Sequence, residues 1–301
     1  MATVTMYANQ SAKIAISNPT TNYSSDTSVT DGNLLISFSG FPASEKFKAI
    51  TRASVAIYAN LAYGTDGQSC AASADFLAES FAEKSVTYNT APKTDALGSV
   101  RVSAYVTGDG KYATGNVLGI GLEHLRSLLV YGLKVSPPYR IAFQTSRGSN
   151  KPYISVEYSD EIVGLSLSSL APSSGSIVPA NVTTFSWAEA ATGVCYESIT
   201  RASAKFRWRK SASDTVKEIA VPGTATSITI PANTFSGDSI QWQLSVTANS
   251  GVTTTSDWMT LSLTDVEPTA VAVAPDRAVL DGASDNVFKW EHVISTGTAQ
   301  T

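Results

Sequence analysis

The sequence predicts an all-β protein built of tandem β-sandwiches, and three observations carry that expectation. Period-2 alternation recurs along the chain: Ala53, Val55, Ile57 and Ala59 interleave with Ser54, Ala56 and Tyr58, and similar runs cover Val100–Val106, Ile141–Phe143 and Tyr153–Tyr158. The stretch Pro172–Trp187 is spelled a second time, with Pro172, Phe185 and Trp187 recurring 103 positions later as Pro275, Phe288 and Trp290. A period near 100 residues is the size of one β-sandwich module and far longer than a solenoid unit. Finally, 43% hydrophobic and 15% charged residues support packed cores rather than disorder.

Taken in order, Val4–Ser17 reads as two short alternating runs, followed by the turn-rich Asn18–Ser25. Asp31-Gly32 marks a hairpin turn ahead of the compact apolar run Leu34–Phe38. A single segment has helical spacing: Leu118, Leu122, Leu125 and Leu129 fall on one face, and Gly132 stands where a helix stops. It predicts one short helix, about 117–131, covering an open end or edge of the first sandwich. Ser159–Gly164 reads as a linker. The expected organisation is therefore 1–160, 165–265, and the start of a further, incomplete module over 266–301. Pro275 lies too near Thr301 for that last module to close, so the chain is expected to be cut from a longer string.

Charge and composition narrow the function classes. A net charge of −4 and a pI near 5.3 argue against a nucleic-acid groove. The basic quartet Lys205, Arg207, Arg209 and Lys210 reads as the solvated face of one strand. No apolar run approaches the roughly 18–20 residues of a membrane span. Met1–Met6 lacks the basic and apolar regions of a signal peptide. Cys70 and Cys195 are expected in different modules as two free thiols, in keeping with folding in a reducing cytoplasm.

Candidate chemistry is sparse. His124 and His292 stand apart from any metal-ligand spacing, and no Gly-x-Ser-x-Gly elbow is present. His124 is expected at a surface or boundary. Gly108-Asp109-Gly110 is a turn signal, and Asp26, Asp31, Asp66 and Asp109 are loop carboxylates whose spacing favours no calcium site. No catalytic residue, metal or cofactor is expected, and the chain does not read as an enzyme. The remaining asset is aromatic: Tyr63, beside Gly64, and Tyr112, after Gly110-Lys111, lie in polar loop contexts where a ring can stack on a sugar.

Several segments follow the motif order of a known bacterial module. They are Asn22-Tyr23-Ser24, Leu35–Phe38 with Phe41-Pro42, Ile50–Tyr58, Phe81–Pro92 and Lys151–Tyr158. Together they resemble the DNRLRE family, a β-sandwich with carbohydrate-binding-module character carried by large extracellular bacterial proteins. Residues 165–265 resemble a fibronectin type III domain, with Trp187 as its core tryptophan, Ala204–Arg209 as a middle strand and Ser256-Asp257-Trp258 leading into its last strand. Residues 266–301 look like the opening of another. The resemblances imply a non-enzymatic structural or adhesion protein. The favoured expectation is a phage virion component (tail, baseplate or fibre), assembled in the host cytoplasm, with an anchoring first module and later modules projecting outward. Its partners would be other virion proteins or further copies of itself. The alternative is a carbohydrate-binding module of a bacterial cell-surface protein or glycoside hydrolase that reads cell-surface glycan through Tyr63 and Tyr112.

Overall fold

The computed structural model describes residues 1–64, 66–180, 183–231, 234–264, 269–274 and 289–293, the last two segments as backbone. The chain is all-β apart from short helical turns, and it divides into two compact units. The first comprises Met1–Val163 together with Gly193–Ser198; the second comprises Gly164–Thr192 and the residues from Ile199 onward.

The first unit contains β1 (Ala2–Ile14), β2 (Ser28–Val29), β3 (Asn33–Phe38), β4 (Lys48–Leu61), β5 (Gln68–Leu77), β6 (Thr94–Val106) and β7 (Lys111–Asn116). Then come α1 (Leu122–Val130), β8 (Leu133–Val135), β9 (Ile141–Gln144) and β10 (Tyr153–Ile162). Hydrogen-bonded neighbours run β10-β1-β3-β8-β5-β6-β7-β4, and β4 pairs back onto β10, so eight strands close on themselves. The link between β6 and β7 is the slightest, a single pairing of Ser103 with Thr114. A closed barrel thus stands where the sequence predicted a two-sheet sandwich. Alternation fixes which residues face inward; it carries no information on whether the last strand finds the first. Strand β9 pairs with β4 at Ala59–Leu61, past the stretch that β10 covers, and β2 pairs with β9.

Eight strands leave an interior that side chains can fill. Here Val55, Ile57, Phe76, Val102, Phe143, Ile154 and Val156 fill it. The two runs read in Val4–Ser17 are one strand: β1 slips register between Ala8 and Gln10, and the bulge breaks the alternation. Strand β3 is buried on both faces, with Leu34 and Ile36 in the barrel and Leu35 in a small outer cluster with Ala12, Ile14, Leu77 and Val86. That explains its unbroken apolar run. The covering loop over this cluster is pinned by Asn22, whose side-chain amide donates to Glu83 O at 2.9 Å and Val86 O at 2.6 Å.

The expected helix is present as a 3₁₀ turn, Leu118–Ile120, followed by α1. Leu125 and Leu128 enter the barrel core, and Gly132 stops the helix at φ +100°. A Cβ at Gly132 would lie 2.0 Å from Ile36 O, so only glycine fits there. Two expectations are corrected. The stretch read as a linker is largely strand: β10 runs to Ile162, and Val163 is buried and donates its amide to Phe47 O at 2.9 Å. His124 is buried rather than peripheral. Its Nε2 lies 3.0 Å from Leu97 O, and its ring meets Phe76 edge-on at 5.1 Å.

In the second unit β11 (Leu165–Ala171), β13 (Thr183–Ala191) and β16 (Ser227–Ile230) form one sheet. The other sheet contains β12 (Ile177–Pro179), β14 (Arg201–Arg209), β15 (Lys217–Val221), β17 (Ser239–Ala248), β18 (Thr253–Thr255) and β19 (Met259–Thr264). Both sheets feed one core. Phe185 of β13 meets Phe206 of β14 at 4.5 Å and Trp242 of β17 at 5.0 Å, with Trp187 and Leu244 in the same cluster.

The repeat reappears as geometry. In β11–β13, Ser166, Leu167, Ser168 and Ala171 pair with Ala190, Glu189, Ala188 and Ser186, with a register slip after Ser168. Strands β20 (Thr269–Ala274) and β21 (Lys289–Val293) pair Thr269, Ala270, Val271 and Ala274 with Val293, His292, Glu291 and Lys289. Each of these partners is displaced by 103 positions, and both pairings slip register ahead of the last pair. Pro275 and Phe288 of the repeat, like most of 266–301, lie outside the described residues.

Candidate functional site

The inward positions of β4, Val55, Ile57 and Ala59, leave Tyr58 on the outer face of the barrel. Its register partner on β7 is Tyr112, and Tyr7 of β1 pairs with Tyr153 of β10. The four rings form one row: Tyr58 to Tyr112 is 4.9 Å, Tyr112 to Tyr153 is 4.9 Å and Tyr153 to Tyr7 is 6.0 Å, every contact edge to face. Two of the hydroxyls are occupied, with Tyr58 donating to Asp109 O at 2.6 Å and Tyr112 donating to Lys151 O at 3.3 Å. Burial, with the neighbouring tyrosines adding to it, pushes the Tyr112 phenol above its ordinary pKa, so it stays protonated and a donor. Tyr112 is therefore a packed strand residue, not the loop residue its sequence context suggested. Tyr7 is the most open of the row, at 55% exposure.

A second aromatic group lies just past the end of β4. Tyr63 and Tyr139 are 53% and 78% exposed and meet edge to face at 5.8 Å. Arg140 organises this corner. Its Nε and Nη2 donate to Tyr63 O at 3.3 and 3.2 Å, and its guanidinium carbon lies 5.7 Å from the centre of the Tyr63 ring. Gly64, at φ +87°, leaves the space the guanidinium fills: a Cβ there would fall 1.7 Å from Arg140 Nη2. Side-chain hydrogen bonding with Tyr139 raises the Tyr63 pKa. The result is a pair of exposed rings held by a fixed cation, an arrangement that offers stacking area and donors.

The two tyrosines singled out by sequence thus belong to separate groups, and no ring contact joins those groups among the described residues. Sequence reasoning missed Tyr7, Tyr58, Tyr139, Tyr153 and Arg140. For Tyr58 and Tyr153 a signal existed, since each occupies the outward phase of a strand whose inward phase was recognised. Tyr139, after Pro137-Pro138, carried only the mark of a turn.

The remaining candidates resolve as structural groups. Asp31 is held by Lys13 at 2.6 Å, and this bond depresses its carboxyl pKa. Among the described residues no three of His, Cys, Asp and Glu converge on a point. Cys70 and Cys195 are both free and buried, and both belong to the first unit, contrary to the expectation of separate modules. Cys195 comes with the segment Gly193–Ser198, where Tyr196 stacks on Phe41 at 4.7 Å and accepts from Arg126 Nε at 2.6 Å. In the second unit the basic quartet splits. Lys205 pairs with Glu218 at 2.5 Å, and Arg207 donates to Gln243 Oε1 at 3.0 Å. Arg209 lies over the Trp258 ring at 4.1 Å, and Lys210 has no ion-pair partner among the described residues. No helix among the described residues is long and apolar enough to cross a membrane. No protein-family model matches the chain, and a search of curated proteins finds no significant match.

Proposed function

We propose that the chain is a non-enzymatic structural and adhesion protein, a component of a phage virion such as a tail, baseplate or fibre part. Its first module attaches it to the particle through other virion proteins or further copies of itself, and its later modules give it reach. The observation that carries this reading is the repeated strand register: β20 and β21 pair as β11 and β13 do, 103 positions on. Recurrence at that spacing supports serial copies of one sandwich, the make-up of a spacer. The division of the second unit into β11-β13-β16 and a larger sheet around Phe206 and Trp242 supports the fibronectin type III resemblance.

The second reading is a carbohydrate-binding module at a bacterial surface. The exposed Tyr63–Tyr139 corner with Arg140 favours it, because sugar CH faces stack on open rings and their hydroxyls accept from a guanidinium. The two readings differ in footprint. Protein attachment buries on the order of 1,200–2,000 Å², whereas a sugar site concentrates its affinity in one or two rings. A glycan array with the full chain, repeated with Tyr63→Ala, Tyr139→Ala and Tyr112→Ala, separates them. Attachment expects no selective glycan signal that depends on these tyrosines. Selective binding abolished by Tyr63→Ala or Tyr139→Ala overturns it in favour of the glycan reading.

A further inference from the structure

The second unit contains a cavity of about 270 Å³ between the end of β14, the start of β15 and the turn leading into β17. Its floor is aromatic and aliphatic: Trp208 and Phe235 meet edge to face at 6.2 Å, and Ile240 lies beside them. All three are buried core residues. Lys210 and Lys217 stand at the wall, both exposed and neither in an ion pair among the described residues. Lys210 is placed by the turn opposite. Gly237, at φ +91°, lacks the Cβ that would fall 3.0 Å from Lys210 Nζ, so the ammonium rests against bare backbone there. Thr215, Thr234 and Ser236 add hydroxyls to the wall.

The charges at this wall are not balanced. Asp214 is the one carboxylate in the lining, and its Oδ2 accepts the Ser211 amide at 2.7 Å, where it caps the turn after β14. Arg209 is committed to Gln241 Oε1 at 2.8 Å, Ala212 O at 3.2 Å and the Trp258 ring. Two ammonium groups are left over an apolar floor of two crossed rings, with hydroxyls around it. The volume falls just below the roughly 300–1,000 Å³ of pockets that hold drug-sized ligands, which limits the occupant to a single ring.

From this we infer that the second unit is not only a spacer but carries a binding site for a single-ring sugar acid. The ring packs against Trp208 and Phe235 at the cavity floor, and its carboxylate meets Lys210 and Lys217. The inference goes beyond the attachment reading and does not depend on it. It also differs from the glycan reading of the first unit, since it uses none of Tyr63, Tyr139 or Arg140.

The test titrates the full chain with D-glucuronate, with glucose and acetate as controls, read by ligand-observed NMR and by tryptophan fluorescence. Saturable glucuronate binding is expected, with glucose and acetate each at least about tenfold weaker. Lys210→Gln and Lys217→Gln should each weaken glucuronate about tenfold, the loss that goes with one charge-assisted hydrogen bond. Both lysines are exposed, so these variants keep the fold, which circular dichroism checks. Tyr88→Ala, in the first unit and in neither candidate site, should leave binding unchanged. The inference is overturned by no saturable binding, by glucose or acetate binding as well as glucuronate, or by binding that survives both lysine changes.

Discussion

Glu189 sits at the centre of the one well-buried ionic group among the described residues of the second unit, and its removal should be costly. Trp187 Nε1 donates to Glu189 Oε1 at 2.7 Å, and Arg201 Nη1 reaches the same oxygen at 2.7 Å. The Arg201 side chain is 3% exposed and that of Glu189 13%, so water cannot replace the carboxylate easily. Breaking a buried pair by deleting one partner costs about 3–5 kcal/mol, because the other charge is left uncompensated. Arg201 keeps backbone acceptors, however, with Nη2 donating to Gly223 O at 2.7 Å and Ala225 O at 2.8 Å. The expectation for Glu189→Ala is therefore the lower end, about 3 kcal/mol. Glu189→Gln retains an oxygen acceptor and should cost about half as much, the scale of a lost charge-assisted contact. All five tryptophans lie beyond residue 163, so urea unfolding followed by tryptophan fluorescence reads this part of the chain selectively. Adding Arg201→Met to Glu189→Ala should recover part of the loss, since no charge then stays buried alone. A cost below about 1 kcal/mol for Glu189→Ala, the range of an exposed pair, would refute the reasoning. So would equal costs for the Ala and Gln variants.

Four further outcomes are expected. Trp187→Ala should destabilise the second unit by about 3–5 kcal/mol, as for other buried large aromatics, seen as a lowered transition in calorimetry. Gly132→Ala forces a Cβ to within 2.0 Å of Ile36 O at φ +100° and should cost the first unit at least about 1–3 kcal/mol, measured by far-UV circular dichroism. Burial pushes the Cys70 thiol up to about 11 from an ordinary value of 9.0. The folded state then favours the neutral thiol, so this contribution is complete below about pH 9 and is lost as pH rises through 11. Denaturant midpoints for the first unit should fall over that window and fall less in Cys70→Ala. Thiol titration should find two reactive groups once the chain is denatured and slow reaction before.

Legibility in the sequence followed side-chain size. β4, β6 and β10 were readable because their inward phase includes Val and Ile, while β5 went unread because its inward residues begin Cys70, Ala72, Ala74. Small residues alternate as faithfully as large ones but barely move hydrophobicity. The helix and its stop at Gly132 were local, and local signals survive in one dimension. Ring closure was not, since it depends on β4 meeting β10, with Ala56 opposite Tyr153. Of the candidate site, Tyr63 was found from its turn context; its companions Tyr139 and Arg140, over 70 positions away, are brought to it only by the fold. His124 misled because a histidine on a helix gives no sign of Leu97 O waiting for it.

The segment Gly193–Ser198 bears on how this chain can be taken apart. It supplies the first unit with the ring that covers Phe41, the carbonyl that receives Arg126, and a β-type bond from Ile50 N to Val194 O at 2.7 Å. A gene fragment ending at residue 163 encodes everything contiguous in that unit yet omits this patch. It would leave Phe41 bare and a guanidinium without its acceptor, and any binding or melting measurement on it would describe a damaged body. Recombination that swaps cassettes at the apparent boundary would meet the same penalty, so in this chain the heritable segment and the folding unit are not the same object.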